Sequence, residues 1–222
     1  MTFLFIDRQS DHFSGVRGGN ESASLGPLRC NLLLGLHMRH APLLATLILG
    51  VTLAAAEPRL VPGAPLPPVK GNDLAGRAVT LPDAAKGRVA LVAFGFSYAS
   101  RTPVEAWSAH ARQAWDADPR FTWYELPMIG GFGRLAKPFI TGGMKKGTPA
   151  QYHGNAVTVF GGVSPWKERL GVRDDALAYL VLLDPAGVVR WIHAGAFDAG
   201  KATELDAQIR GLLDAAPGPQ TR

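Results

Sequence analysis

The chain has 222 residues, of which 47% are hydrophobic, and its 23 Lys and Arg against 18 Asp and Glu give a net charge of +5. A basic excess this small mainly affects solubility, so we predict no nucleic-acid partner. The only cysteine is Cys30. It lies upstream of a predicted export signal, so we expect the exported chain to contain no thiol.

The export signal is predicted at residues 38–56. Arg39 and His40 form a short basic region, residues 41–53 are apolar, and three alanines before Glu57 are typical of a cleavage site. The apolar stretch is short for a membrane span, which needs about 20 residues, but a retained anchor is the alternative. Residues 1–37 do not fit ahead of a signal peptide. We interpret them as a start-site artefact, with Met38 as the true start, or else as a disordered extension.

Export predicts a periplasmic or cell-envelope location and leaves one domain, placed at residues 75–216. Residues 57–74 are proline-rich, which predicts an extended lead-in outside the core. Residues 76–81 are predicted to add an edge strand, and residues 88–96 form an apolar run typical of a buried central strand. Residues 217–222 are predicted to be a disordered tail.

A helix is predicted next. Thr102 and Glu105 have the spacing of a capping box, with Pro103 at the first helical position. Apolar residues follow at helical spacing, ending with Trp115. Residues 121–126 then predict a strand.

Residues 127–165 are irregular and basic, and we interpret them as an insertion with short helices around 134–140 and 149–157. A short helix at 165–170, a central strand at 178–183 and a hairpin strand at 188–193 follow. The last helix has an apolar face of Leu205, Ile209, Leu212 and Leu213. The order predicts an α/β sandwich, in which a mixed central sheet with a parallel first crossover is flanked by helices.

Three segments carry a resemblance to a known superfamily: VALVAF, GFSYASRTP and YLVLLDPAGVVRW. They resemble the thioredoxin-like superfamily, which implies a thioredoxin-like fold. In its thiol reductases a Cys-x-x-Cys pair sits at a helix N-terminus, where the helix dipole lowers the thiol pKa. Laid on that pattern, the cysteine positions fall at Ala99 and Thr102, and the facing proline falls at Ala178. A thiol-disulfide oxidoreductase or peroxiredoxin-like protein is therefore the disfavoured alternative.

The hairpin shows a closer resemblance. The loop FSYAS, the run VEAW and residues 179–205 are similar to the mitochondrial ATP synthase assembly factor ten family, whose members act as chaperones for the proton-channel subunit of the Fo sector. The matching hairpin residues are Asp184, Gly187, Arg190, Trp191, Gly195, Ala196 and Glu204.

The resemblance implies a non-catalytic chaperone or assembly factor for a membrane complex, with a membrane-complex subunit or peptide as its partner. The implied binding residues are Phe96, Ser97, Tyr98, Ser100, Arg190 and Trp191, facing Ala178. The alternative for Arg190 and Trp191 is an ordinary edge strand, with one side chain in solvent and one in the core.

Basic residues of the insertion form a second candidate surface. No acidic residue lies between Arg134 and Lys146, and Lys137 and Lys145 fall in that interval. These four residues form either a solvated loop or a contact with anionic lipid headgroups. Separately, the loop at 95–101 precedes a helix, so its N–H groups are candidates to hold an anion or a peptide carboxylate.

Catalytic and metal signatures are weak. His110, His153 and His193 do not have the spacing of metal ligands, and Ser97 does not lie in a G-x-S-x-G elbow. We therefore predict no catalytic residue, no metal and no cofactor.

Overall fold

The computed structural model describes residues 58–131 and 135–215. The chain divides into two units, residues 1–51 and 52–222, and all described residues belong to the second. The predicted export signal, Cys30, Arg134 and the C-terminal tail lie outside the described residues. Among the residues that are described, no helix is both long and apolar enough to cross a membrane.

Seven strands form one mixed sheet in the order β2-β1-β5-β4-β3-β6-β7. The strands are β1 Val69–Asp73, β2 Ala78–Leu81, β3 Val89–Gly95, β4 Phe121–Ile129, β5 Val157–Phe160, β6 Ala178–Leu183 and β7 Val189–Gly195. The helices are α1 Arg101–Trp115, α2 Lys137–Gly147, α3 Val163–Leu170 and α4 Ala199–Ala215.

Burial identifies β3 and β6 as central strands of the sheet. Every residue of β3 and β6 is buried, as expected for continuous apolar strands covered on both faces. β3 pairs in parallel with β4 and antiparallel with β6, so that Val92 lies between Tyr124 and Val181. The predicted parallel crossover and the antiparallel hairpin are both confirmed.

Alternate residues of the strands fill two hydrophobic cores. On one face Phe94, Tyr124 and Val181 pack with Trp166 of α3. On the other face Leu91 packs with residues of α1 and α4, including the fully buried Trp107. The predicted mixed-sheet α/β sandwich is confirmed.

The lead-in differs from its prediction. Residues 57–74 contain β1, which pairs with β2 and β5, and Leu66 and Val69 are buried in the core. Prolines block a strand only where a ladder N–H is needed, and β1 begins directly after the last of them. Gly71 permits the close pairing, because a Cβ built there would lie 2.7 Å from the carbonyl oxygen of Thr158.

The insertion also differs. Of the predicted helix at 149–157, only a short 3-10 turn at Ala150–Tyr152 forms. β5 begins at Val157, the last residue of that segment, and pairs in parallel with β4 through Met128 and Val159. α2 extends well past the predicted 134–140. A four-residue strand is too short for its residue pattern to distinguish it from a helical segment by sequence alone.

The capping box at Thr102 is not formed. The N-cap of α1 is Ser100, and the Glu105 carboxylate instead accepts a 2.6 Å bond from Arg101 Nε. Pro103 still lies in the first turn, where its missing N–H costs nothing.

Candidate binding site at the carboxyl ends of the parallel strands

Three loops meet where β3 and β4 end. Because β3 and β4 are parallel and β6 is antiparallel to β3, the loops after β3 and β4 and the loop before β6 lie at the same edge of the sheet. The Ser97 hydroxyl joins two of these loops by donating a 2.8 Å hydrogen bond to the carbonyl oxygen of Asp175. The candidate site is this edge.

Ser97 and Ser100 close the loop after β3 on itself. Each backbone N–H donates to the other serine's hydroxyl at 3.3 Å, and Ser100 Oγ donates to the Ser97 carbonyl at 2.7 Å. Gly95 permits this approach, because a Cβ built there would lie 2.8 Å from Ser100 Oγ. The two N–H groups are thus engaged within the loop, which leaves fewer donors for the anion predicted there.

Phe96 and Tyr98 differ sharply in exposure. Phe96 is 7% exposed and packs edge-on against Tyr179 with ring centroids 5.7 Å apart. Tyr98 is 66% exposed. Phe96 therefore supports the loop from below, and of the two aromatic residues only Tyr98 presents its ring to solvent.

The positions that correspond to reductase cysteines lie where the resemblance implies. Ala99 and Thr102 flank the N-terminus of α1 and are exposed. Ala178 begins β6 and is fully buried. None of the three side chains carries a thiol.

Arg190 and Trp191 point to opposite faces of β7. Arg190 is exposed, and its Nε donates to Asp184 Oδ2 at 2.8 Å. Trp191 is 8% exposed, and its Nε1 donates to Glu204 Oε1 at 2.8 Å. The sequence left two interpretations of this pair, a binding surface and an ordinary edge strand. The geometry matches the edge strand, with Arg190 outside and Trp191 inside. Trp191 therefore offers little surface to a partner.

Asp184 organises the hairpin turn. Its carboxylate accepts the N–H groups of Ala186 and Val188 as well as the Arg190 guanidinium. Burial alone raises the pKa of this carboxyl, but the three hydrogen bonds outweigh burial and hold the pKa below its usual value. The hairpin is therefore stabilised by a charged group with its partners inside the same turn.

The basic residues of the insertion divide into two kinds. Lys137 Nζ lies 5.1 Å from the ring centroid of Phe160, a cation–π contact that binds it to the end of β5. Lys145 and Lys146 are exposed in the last turn of α2. That end of α2 approaches the candidate edge, since a Cβ built on Gly147 would lie 4.0 Å from an Arg101 guanidinium nitrogen.

The three histidines are separate from one another. His110 Nε2 lies 3.1 Å from both Asp206 oxygens, and His153 Nε2 lies 2.9 Å from the Thr148 carbonyl. His193 packs between two tryptophans, and burial, together with the charge of Lys201, lowers its pKa. Within residues 58–131 and 135–215, no three His, Cys, Asp or Glu side chains converge as a metal site requires.

Sequence reasoning missed two charged groups near the edge. Asp175 forms an ion pair with Lys167, and its carbonyl holds Ser97. Glu125 lies in β4, where burial raises the pKa of its carboxyl and a Ser108 hydrogen bond opposes the rise. A lone acid within the apolar strand was the available signal for Glu125, whereas nothing local indicates Asp175.

No protein-family model matches this chain. No curated protein matches it either. Among solved structures, the chain is similar to a protein described as a thiol:disulfide interchange protein DsbE from Chlorobium tepidum, with 20% identity, a TM-score of 0.50, and coverage of 69% of this chain and 99% of that one.

Two further structures show weaker similarity. One is the thioredoxin domain of a thiol-disulfide oxidoreductase from Bacteroides vulgatus, with 19% identity, a TM-score of 0.45, and coverage of 71% of this chain and 99% of that one. The other is an exposed lipoprotein thioredoxin from Streptococcus pneumoniae, with 15% identity, a TM-score of 0.47, and coverage of 65% and 99%. At such identities the likeness to the Chlorobium protein shows the fold alone, and that fold is thioredoxin-like.

Proposed function

We propose that this chain is an exported, non-catalytic binding protein built on the thioredoxin-like fold, which captures a peptide or subunit of a membrane complex at the candidate edge. The observation that carries the proposal is the composition of that edge. Ala99 and Thr102 occupy the positions of the reductase cysteines, and Ser97 and Ser100 close the loop with hydrogen bonds. A hydrogen-bonded loop without a thiol suits binding better than thiol-disulfide exchange.

Tyr98 is the proposed anchor. Its ring is 66% exposed at the tip of a loop that the two serines and Asp175 hold in place. Aromatic residues on rigid supports dominate binding energy at many interfaces, because they bury a large area and lose little conformational entropy. Arg101, the first residue of α1, lies beside the tyrosine, and its guanidinium is paired with Glu105.

The finer assignment is an assembly factor for a complex such as the ATP synthase Fo sector. Its support is the likeness of residues 179–205 to the assembly factor ten family. The geometry of the hairpin neither adds to this assignment nor removes it, because Arg190 and Trp191 have partners within the fold. The resemblance supports the proposed partner, and the exposure of Tyr98 supports the proposed capturing surface.

Capture from the native cell envelope tests the proposal. The tagged full-length chain is crosslinked in its own envelope, and captured proteins are identified by mass spectrometry. We expect subunits of one membrane complex to dominate. Tyr98→Ala should weaken capture about thirtyfold, as truncation of an anchor side chain does.

Val61→Ala is the matched control, since Val61 is an exposed apolar residue of the lead-in at 53% exposure. It should leave capture unchanged. Equal recovery with Tyr98→Ala and wild type would remove the edge from the proposal. Scattered envelope proteins without a common complex would reject the assembly-factor assignment.

The redox alternative has its own test. Insulin reduction by the wild-type chain is compared with a heat-inactivated sample and with Cys30→Ser. We expect turnover no higher than the inactivated control, because the candidate edge has no thiol. Turnover that Cys30→Ser abolishes would show that the lone cysteine is a redox group and would overturn the non-catalytic proposal.

A further inference from the structure

α2 carries an exposed surface that combines apolar and basic side chains. Leu135, just before the helix, is 83% exposed, and Phe139 is 70% exposed. Lys145 and Lys146 occupy the last turn. We call these four residues the α2 surface.

Helical geometry places two of them on one side. Phe139 and Lys146 are seven residues apart, which is close to two turns of helix, so both project in nearly the same direction. The half-buried residues of α2 are Ile140, Thr141, Gly142 and Met144, and no residue of α2 is fully buried. The outward side of α2 therefore exposes Phe139 and Lys146 to solvent.

Charge decides which partner fits. Residues 126–167 contain no aspartate or glutamate, and they contain the basic residues Arg134, Lys137, Lys145, Lys146 and Lys167. A surface for a protein partner usually mixes both charge signs at its rim. A long acid-free segment with exposed leucine and phenylalanine instead matches an anionic membrane, which attracts Lys and accepts apolar side chains.

We infer that the α2 surface docks the protein on an anionic lipid bilayer, with Phe139 and Leu135 entering the headgroup region and Lys145 and Lys146 contacting lipid phosphates. Lys137 has a smaller part, because its ammonium group lies over the Phe160 ring. The docked helix lies in the plane of the interface. This inference does not depend on the peptide-binding proposal, which concerns Tyr98.

Vesicle sedimentation tests it with the full chain. Vesicles of phosphatidylcholine mixed with phosphatidylglycerol are compared with pure phosphatidylcholine vesicles at low and high salt. We expect binding to the anionic vesicles only, weakened by salt. Lys145→Gln with Lys146→Gln should weaken it about thirtyfold, the loss for two near-surface lysines.

The matched control removes two exposed lysines elsewhere, with Lys70→Gln and Lys86→Gln. It lowers the net charge equally and should change binding far less. Equal loss in both double variants would show a general charge effect and overturn the inference. Unchanged binding after replacement of Lys145 and Lys146 would overturn it as well. All variants carry the same N-terminal segment, so any binding by that segment is common to every measurement.

A depth measurement separates docking from electrostatic contact. Phe139→Trp is bound to anionic vesicles containing brominated acyl chains, and quenching of tryptophan fluorescence is compared with that of wild type. We expect additional quenching. Phe197→Trp, at a position 41% exposed in the turn before α4, should add none.

Two outcomes of these measurements reject the lipid assignment. One is quenching equal to that of wild type for Phe139→Trp. The other is loss of a captured envelope protein, but not of vesicle binding, when Lys145 and Lys146 are replaced; this would make the α2 surface a protein interface. Because vesicle binding uses no protein partner, its failure leaves the Tyr98 capture test unaffected.

Discussion

Polar groups have different partners in two regions of the molecule, the hairpin of β6 and β7 and the loop after β3 at the candidate edge. In the hairpin, Asp184 binds Arg190 and two backbone N–H groups, and Trp191 binds Glu204. At the edge, Ser97 and Ser100 are also paired, but the loop holds Tyr98 out in solvent.

The difference separates fold from function. The assembly-factor expectation rests mainly on the sequence of the hairpin, and the described polar contacts of the hairpin are internal to the protein. Residues that stabilise a turn stay recognisable wherever the turn is needed, whatever the protein binds. A likeness of this kind therefore indicates architecture, and exposed side chains at the edge are better candidates for recognition.

Trp191→Ala should produce the largest effect. We expect a loss of about 3–5 kcal/mol in the free energy of unfolding, because a large buried ring is removed and leaves a cavity. Urea denaturation followed by circular dichroism measures it. Trp191→Phe keeps most of the packing and should cost much less. A loss under about 1 kcal/mol for Trp191→Ala would indicate that Trp191 is a surface residue and again a candidate for binding.

Asp184→Asn should have the next largest effect and a distinct pH dependence. We expect a loss of about 2 kcal/mol near neutral pH, because the charged acceptor of Arg190 is removed. The folded-state pKa of Asp184 is below its unfolded value. The stabilisation is therefore present above the unfolded pKa and disappears as the pH falls through the folded pKa.

Urea denaturation at about pH 7 and about pH 3 tests this pH dependence. The difference between wild type and Asp184→Asn should shrink at the lower pH. A difference that stays constant with pH would show that shape, rather than charge, accounts for the role of Asp184. It would also weaken the contrast between the two regions.

Ser100→Ala should cost about 1 kcal/mol of stability, because it removes the buried hydroxyl that accepts from the Ser97 N–H and donates to the Ser97 carbonyl. Ser97→Ala is the companion variant, and it also frees the Asp175 carbonyl. Since Ser97 is exposed and water can replace its bonds, it should cost less than Ser100→Ala. The opposite order in thermal denaturation would show that the contact with Asp175, rather than closure within the loop, holds the edge.

Tyr98→Ala should have the smallest effect on stability, within about 0.5 kcal/mol, because the ring is exposed. The same variant is expected to lose partner capture. A large loss of stability would mean that Tyr98 supports the loop as Trp191 supports the hairpin, and the contrast between the two regions would disappear.

Several elements were predictable from the sequence for physical reasons. Residues 89–96 and 178–183 are apolar without interruption, as is typical of strands buried on both faces of a sheet. The Asp184 to Gly187 turn followed by a second strand predicted the hairpin, and Gly187 adopts the positive φ of 82° that favours glycine in turns. Helical spacing predicted the buried face of α4 through Leu205 and Ile209.

Only the tertiary structure decided the rest. β1 and β5 are short and partly polar, and they become strands because each supplies hydrogen bonds to a neighbour far away in the sequence. The N-cap of α1 is Ser100 rather than Thr102, and the Ser100 hydroxyl bonds to Ser97 within the loop. The exposure of Trp191 and of Tyr98 likewise depends on which parts of the fold pack against each side chain. Local patterns determine where the chain buries apolar surface, whereas long-range pairing determines which polar and aromatic groups remain for a partner.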